Sequence, residues 1–237
     1  MANLESVKKF HCFFEQSGTF KNEFKRLGID AIDYDILNDY GETDIVIDLF
    51  AEIEKAYAGG DSIFDSVKEG EAIIAFFPCV RFSKLFVWHL TGQAKQYLGY
   101  NQEQKLEKFI DLHNELHWYA LLITKLCLVC IWKEIPLIIE NPYDSMSYLN
   151  RYWPMTPAIV DTDRQEMGDW YKKPTQYFFI NCDPLNNLIM DEAIAKYPKR
   201  WILEQTHTDK SMISPEYARR FIRTYLKKYD AKDADLR

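Results

Sequence analysis

Short apolar runs alternate with helical segments along this 237-residue chain, and that alternation restricts the possible folds more than any other feature. Runs at 8–14, 30–36 (DAIDYDI), 43–49 (TDIVIDL), 71–77 (EAIIAFF) and 135–140 (IPLIIE) read as strands, and 175–181 reads as a sixth. Helical spacing over 18–27 stops at Gly28, a normal helix end. FAEIEKAYA, most of 84–133 and about 215–229 read as further helices, and 143–172 reads as loop-rich. Strands that alternate with helices predict an α/β fold with a mostly parallel sheet.

Bulk properties narrow the function. The net charge of −7 argues against a broad basic face for nucleic acid. Local basic patches remain at Lys172-Lys173 and in the tail from Arg219 to Lys228. Aromatics reach 15%, which suits a ring-rich core or a stacking surface. No uninterrupted apolar run of about 18 residues occurs, so no membrane span is expected. The N-terminus lacks a signal-peptide core. Five cysteines in apolar settings suggest reduced thiols and a cytoplasmic protein. Cys127-x-x-Cys130 lies in a long helical run and reads as core packing. HNELH (113–117) has Asn114 where a zinc protease needs Glu, so no metal is expected.

Ligands of such sheets gather at the carboxyl ends of strands. The first strand ends in Phe14-Glu15-Gln16-Ser17-Gly18-Thr19, a small-residue turn leading into a helix. Gly18 permits close approach, and Ser17 or Thr19 can hydrogen-bond a ligand beside the helix N-terminus. The second strand ends in Asp33-Tyr34-Asp35, and either carboxylate can accept ribose hydroxyls. Asp48 follows the third strand, Pro78-Cys79 the fourth and Glu140-Asn141-Pro142 the fifth. Cys79 is a candidate nucleophile if a helix N-terminus or a cation such as Arg81 lowers its pKa. Glu140 can share a proton with a heteroaromatic nitrogen.

In this order the motifs resemble those of cytosine carbon-5 DNA methyltransferases, especially short phage-type members. FEQSGTFKNEFKRLG and DAIDYDI resemble the first two motifs, FFPCVRFS the Pro-Cys motif and IIENPYDSM the Glu-Asn motif. GDWYKKPTQYFFIN and SMISPEYARRFI resemble the closing strand and helix, so the match spans about residues 10–225. The resemblance implies a Rossmann-like class I methyltransferase fold, a mostly parallel seven-stranded sheet flanked by helices. It implies one domain over 1–237 with a helical insertion at about 84–133. S-adenosylmethionine (SAM) would lie against residues 14–19, Asp33 or Asp35, Asp48 and Pro78. Cys79 would attack cytosine carbon 6, Glu140 would engage ring nitrogen 3, and Arg164 would approach the base. Arg81, Ser83, Asn141, Pro142, Lys172 and Lys173 would contact a DNA substrate.

Three departures bear on activity. Gln16 stands where the family has its first turn glycine, and Phe76-Phe77 replace smaller residues before Pro78. The interval 143–172 is too short for a separate target-recognition domain. A non-catalytic binding protein on the same sheet, or a methyltransferase acting on another base, are the alternative expectations.

Overall fold

The computed structural model describes residues 2–188 and 212–227. Its sheet holds β1 (Lys9–Phe13), β2 (Asp30–Asp35), β3 (Ile45–Val46), β4 (Glu71–Ala75), β5 (Leu137–Pro142), β6 (Ile159–Asp161) and β7 (Thr175–Ile180). They lie in the order β3-β2-β1-β4-β5-β7-β6. The β3, β2, β1, β4 and β5 ladders are parallel, and β7 runs antiparallel to both β5 and β6. The α/β class and the mostly parallel seven-stranded sheet are as expected.

Alternation along the strands builds two cores, because successive side chains point to opposite faces. On one face, Phe10, Cys12, Ala72 and Ile74 pack with Phe20 and Phe24 of α1 (Thr19–Arg26). Tyr217, Ala218 and Phe221 of α6 (Pro215–Phe221) complete that core. The Phe10 and Phe24 rings stack at 4.2 Å. On the other face, Phe13, Ile73 and Ala75 meet Leu49 and Ile53 of α2 (Leu49–Tyr57). The same core takes in Leu122, Ile123 and Leu126 of α4 (Gln102–Trp132). Burying each large apolar side chain contributes about 1.5–3 kcal/mol before entropy is counted.

Several boundaries differ from the sequence reading. The third strand shrinks to two residues because the Asp44 amide donates to Asp33 Oδ1 (2.7 Å) and Asp48 caps α2. The 143–172 segment contains α5 (Tyr148–Tyr152) and β6, an edge strand too short to show a period. The 84–133 segment splits into α3 (Lys84–Leu90) and α4, with Gly92 and Gly99 at positive φ between them. α4 is long and apolar enough to cross a membrane, but Leu116 to Cys130 bury its inner face on the sheet. The last helix turns π-helical over Ile222–Leu226, and Lys228 lies outside the described residues.

Candidate active site

Pairing register brings the strand ends together. Phe13 pairs with Tyr34 and Ala75, and Ala75 with Ile139. The residues that follow, Phe14, Phe76 and Glu140, therefore start the carboxyl rim. Phe14 adopts φ 59°, a region that disfavours a bulky side chain. Its ring sits 5.3 Å from Phe50 and 5.4 Å from Phe77.

The turn after β1 is built around Glu15. This buried carboxylate accepts the α1 amides of Phe20 (2.6 Å) and Lys21 (3.2 Å). Burial pushes its pKa up to about 7, although the two amides pull the other way. Ser17 Oγ accepts the Thr19 amide at 3.4 Å and lies 3.0 Å from Thr19 Oγ1. Gly18 has φ +63°, and a Cβ there would lie 2.9 Å from Glu42 Oε2. Gln16 Oε1 is buried with no hydrogen-bond partner. A phosphate would have to compete with Glu15 for the helix N-terminus, so the turn is ill suited to nucleotide phosphates. An unpaired buried acceptor beside a carboxylate suits a cationic ligand instead.

Asp33 and Asp35 part company. Asp33 is fully buried, with Lys21 Nζ 3.0 Å from its Oδ2. Lys21 is also buried and lies 3.3 Å from Asp44. Burial works against the Lys21 charge, but the carboxylates outweigh it and raise the pKa. Asp33, one of the two expected ribose acceptors, is thus enclosed in an internal ion pair. Asp35 is half-buried, takes the Leu37 amide on Oδ1 (2.8 Å), and precedes the exposed apolar Ile36. Asp48 is exposed and N-caps α2 through the amides of Phe50 and Ala51.

Pro78 and Cys79, both half-buried, lie in the turn between β4 and α3, and the Cys79 carbonyl accepts the amides of Phe82 and Ser83. Asn141, fully buried at the end of β5, donates Nδ2 to the Phe77 carbonyl at 3.1 Å. That bond ties the Pro-Cys turn to the Glu-Asn strand end. Burial raises the Cys79 pKa; the Lys173 charge opposes this and the Glu140 charge adds to it. Arg81, expected beside the thiol, is instead paired with Glu115 of α4 (Nε–Oε2, 2.5 Å) and lies over the Phe86 ring. Ser83 begins α3 without a side-chain cap.

Behind Glu140 stands Arg164, which has no solvent exposure. Its Nη1 is 3.9 Å from Glu140 Oε1 and 3.5 Å from Thr175 Oγ1. Its Nη2 pairs with Asp169, and its guanidinium lies 4.8 Å from the Tyr217 ring centroid. Arg164, expected to approach the base, is thus enclosed in the protein with its charge turned towards Glu140 and Asp169. Asp169 also accepts the Ser214 amide (3.1 Å), which docks α6 beneath the site. Pro142 accepts from Gln176 Nε2 at 3.0 Å. Lys172 is exposed and lies 3.4 Å from Asp163. In the tail, Arg219 and Arg220 both pair with Glu216.

Sequence reasoning missed Lys21, Tyr119, Asp169 and Tyr217. Lys21 had a signal: it shares the apolar face of α1 with Phe20 and Phe24, where a lysine implies a buried carboxylate partner. Burial raises the Tyr119 pKa; the Arg81 charge opposes this, and Glu115 and Cys79 add to it. No spacing pointed to Asp169 or Tyr217.

The strand order, with β7 antiparallel between β5 and β6, is that of class I methyltransferases. No known family model matches the chain, and no curated protein matches it. Its class therefore rests on sheet topology.

Proposed function

We propose that the chain is a SAM-dependent methyltransferase that modifies carbon 5 of cytosine in DNA through a covalent Cys79 adduct. The observation that carries this reading is the Asn141–Phe77 bond, which holds the Cys79 turn against the Glu140 strand end. Asp35 would hold the ribose of SAM, Ile36 would flank the adenine, and Gln16 Oε1 would face the methionine ammonium. Bound SAM supplies an electrophilic methyl group to carbon 5.

The protein's own part is proton and electron placement. Cys79 gives its proton to water, assisted by the Lys173 charge, and its sulfur bonds to carbon 6. A proton shared between the Glu140 carboxyl and ring nitrogen 3 keeps the electron pair driven from the ring from remaining as a bare anion. Arg164, buried behind Glu140, stabilises the carboxylate that results. After methylation, water takes the carbon 5 proton, the electron pair left behind expels Cys79 as its thiolate, and ring nitrogen 3 returns its proton to Glu140. The base must leave the stack to reach Cys79 if the DNA is duplex.

A second reading has its own support. Glu15 and Ser17 already satisfy the amides at the start of α1, and burial raises the Cys79 pKa, away from a reactive thiolate. Both features suit a non-catalytic scaffold with the same sheet. Labelled methyl transfer from SAM to mixed DNA, RNA and nucleotide pools, followed by base analysis, separates the two. The expected result is 5-methylcytosine in DNA, lost in Cys79→Ala while calorimetry still detects SAM. Full activity in Cys79→Ala removes the covalent mechanism, and no SAM binding at millimolar ligand favours the scaffold.

A further inference from the structure

The helical insertion after Cys79 carries a cavity of about 250 Å³ between α3, the turn at Lys95–Tyr97 and the first turns of α4. His89, Tyr97, Lys105, Leu106, Lys108 and Phe109 line most of it, and no carboxylate does. Tyr97 is held in place, its hydroxyl 3.0 Å from His89 Nδ1. Helix geometry sorts the charges of α4. Glu103, Glu107 and Asp111 recur at four-residue spacing on one side, whereas Lys105, Lys108 and Phe109 lie on the other. Lys108 still reaches Asp111 at 3.6 Å, around the edge of the helix. Between residues 80 and 133, basic residues outnumber acidic ones seven to four, in a chain whose net charge is −7. Phe109 is 44% exposed and Leu106 66% exposed, so neither is spent on the core.

We infer that this cavity seats one unstacked base of the nucleic-acid strand that flanks the target, with Lys105 and Lys108 on its phosphates. A cavity of about 150 Å³ holds benzene, so this one accommodates a nucleobase. Aromatic stacking with lysines along the backbone is the usual way a protein grips a single strand. The insertion is well placed for it. α3 starts five residues after Cys79, and the Arg81–Glu115 pair fastens the Cys79 turn to α4. The chain thereby gains a substrate-gripping element without a domain in 143–172. The inference rests on the proposed action on nucleic acid.

The test is fluorescence anisotropy of the full chain with a labelled mixed-sequence single-stranded DNA, alongside calorimetry with SAM. Phe109→Ala is expected to weaken DNA binding by roughly ten-fold or more, the usual effect of losing one stacked base. Lys105→Ala with Lys108→Ala is expected to flatten the salt dependence by up to about two phosphate contacts. Both variants should bind SAM as the parent does and keep its far-ultraviolet circular dichroism. Unchanged DNA affinity in both variants overturns the inference, as does a free mononucleotide that competes as well as the strand. So does a dimer, or binding to anionic vesicles, that Phe109→Ala abolishes while DNA binding persists. The failure of the catalytic reading looks different: parent and Cys79→Ala both grip DNA, Phe109→Ala loses it, and no methyl is transferred.

Discussion

Asn141 Nδ2 donates to the Phe77 carbonyl at 3.1 Å, tying the turn that follows β4 to the carboxyl end of its parallel neighbour β5. The bond is buried, and among the described residues no backbone amide reaches the Phe77 carbonyl to replace it. Asn141→Ala leaves that carbonyl unpaired, which costs about 1–3 kcal/mol. It also frees the Cys79 turn. The expected outcome is a lower midpoint in urea and a loss of methyl transfer larger than the stability change explains, with SAM affinity unchanged. A variant that unfolds earlier but turns over normally would confine Asn141 to a structural role.

Arg164 gathers three acidic or aromatic partners in a space closed to water: Glu140, Asp169 and Tyr217. Lysine offers a point charge and cannot reproduce that planar fork. Arg164→Met removes the cation and strands Asp169 in the interior, a change that typically costs 3–5 kcal/mol. Arg164→Lys should recover only part of that loss. The check is denaturant unfolding of both variants, with a stability equal to the parent counting against the buried network.

The separation of Asp33 from Asp35 gives a matched pair of substitutions. Asp33→Ala leaves the buried Lys21 with only Asp44 and Glu42 nearby, so its main effect is on folding. Asp35→Ala removes a half-buried acceptor at the rim and should weaken SAM by about 1–3 kcal/mol with little change in melting temperature. Calorimetry and thermal unfolding of the two variants decide the assignment. If Asp33→Ala alone loses SAM without loss of stability, the roles are reversed.

The parallel strands were legible because strands buried on both faces read as continuous apolar runs, and EAIIA and LIIE do so. β6 was not, since three residues at a sheet edge have no period to detect. The carboxyl-end residues were legible as candidates, but not their commitments. Glu15 and Asp33 both end up holding the protein's own groups, which only the angle of α1 against the sheet determines. Arg164 was visible as an arginine after β6, yet its burial depends on α6 arriving from fifty residues further along. The cavity in the insertion arises from α3 folding back on α4 across two glycine-containing turns, a long-range packing that no local pattern records.

Glu15 supplies a pH dependence whose sign can be worked out. Its folded-state pKa of about 7 lies above the 4.5 of an unperturbed glutamate, so the folded chain holds the proton more tightly than the unfolded chain. The stability this carboxyl contributes is fully present below 4.5, declines as pH rises, and is gone above about 7. The difference amounts to roughly 3 kcal/mol. Glu15→Gln keeps an acceptor for the Phe20 amide and removes the buried charge. It should therefore be more stable than the parent at pH 8 and indistinguishable from it near pH 4, as read by urea unfolding. A cationic ligand beside the turn acts on the same proton from the other side: it favours the carboxylate, and binding then releases a proton below pH 7. SAM affinity is thus expected to rise between pH 6 and pH 8 in the parent and to stay flat in Glu15→Gln. Calorimetry in buffers of different ionisation enthalpy measures the released proton directly, and a pH-independent affinity in the parent would place the sulfonium and ammonium away from Glu15.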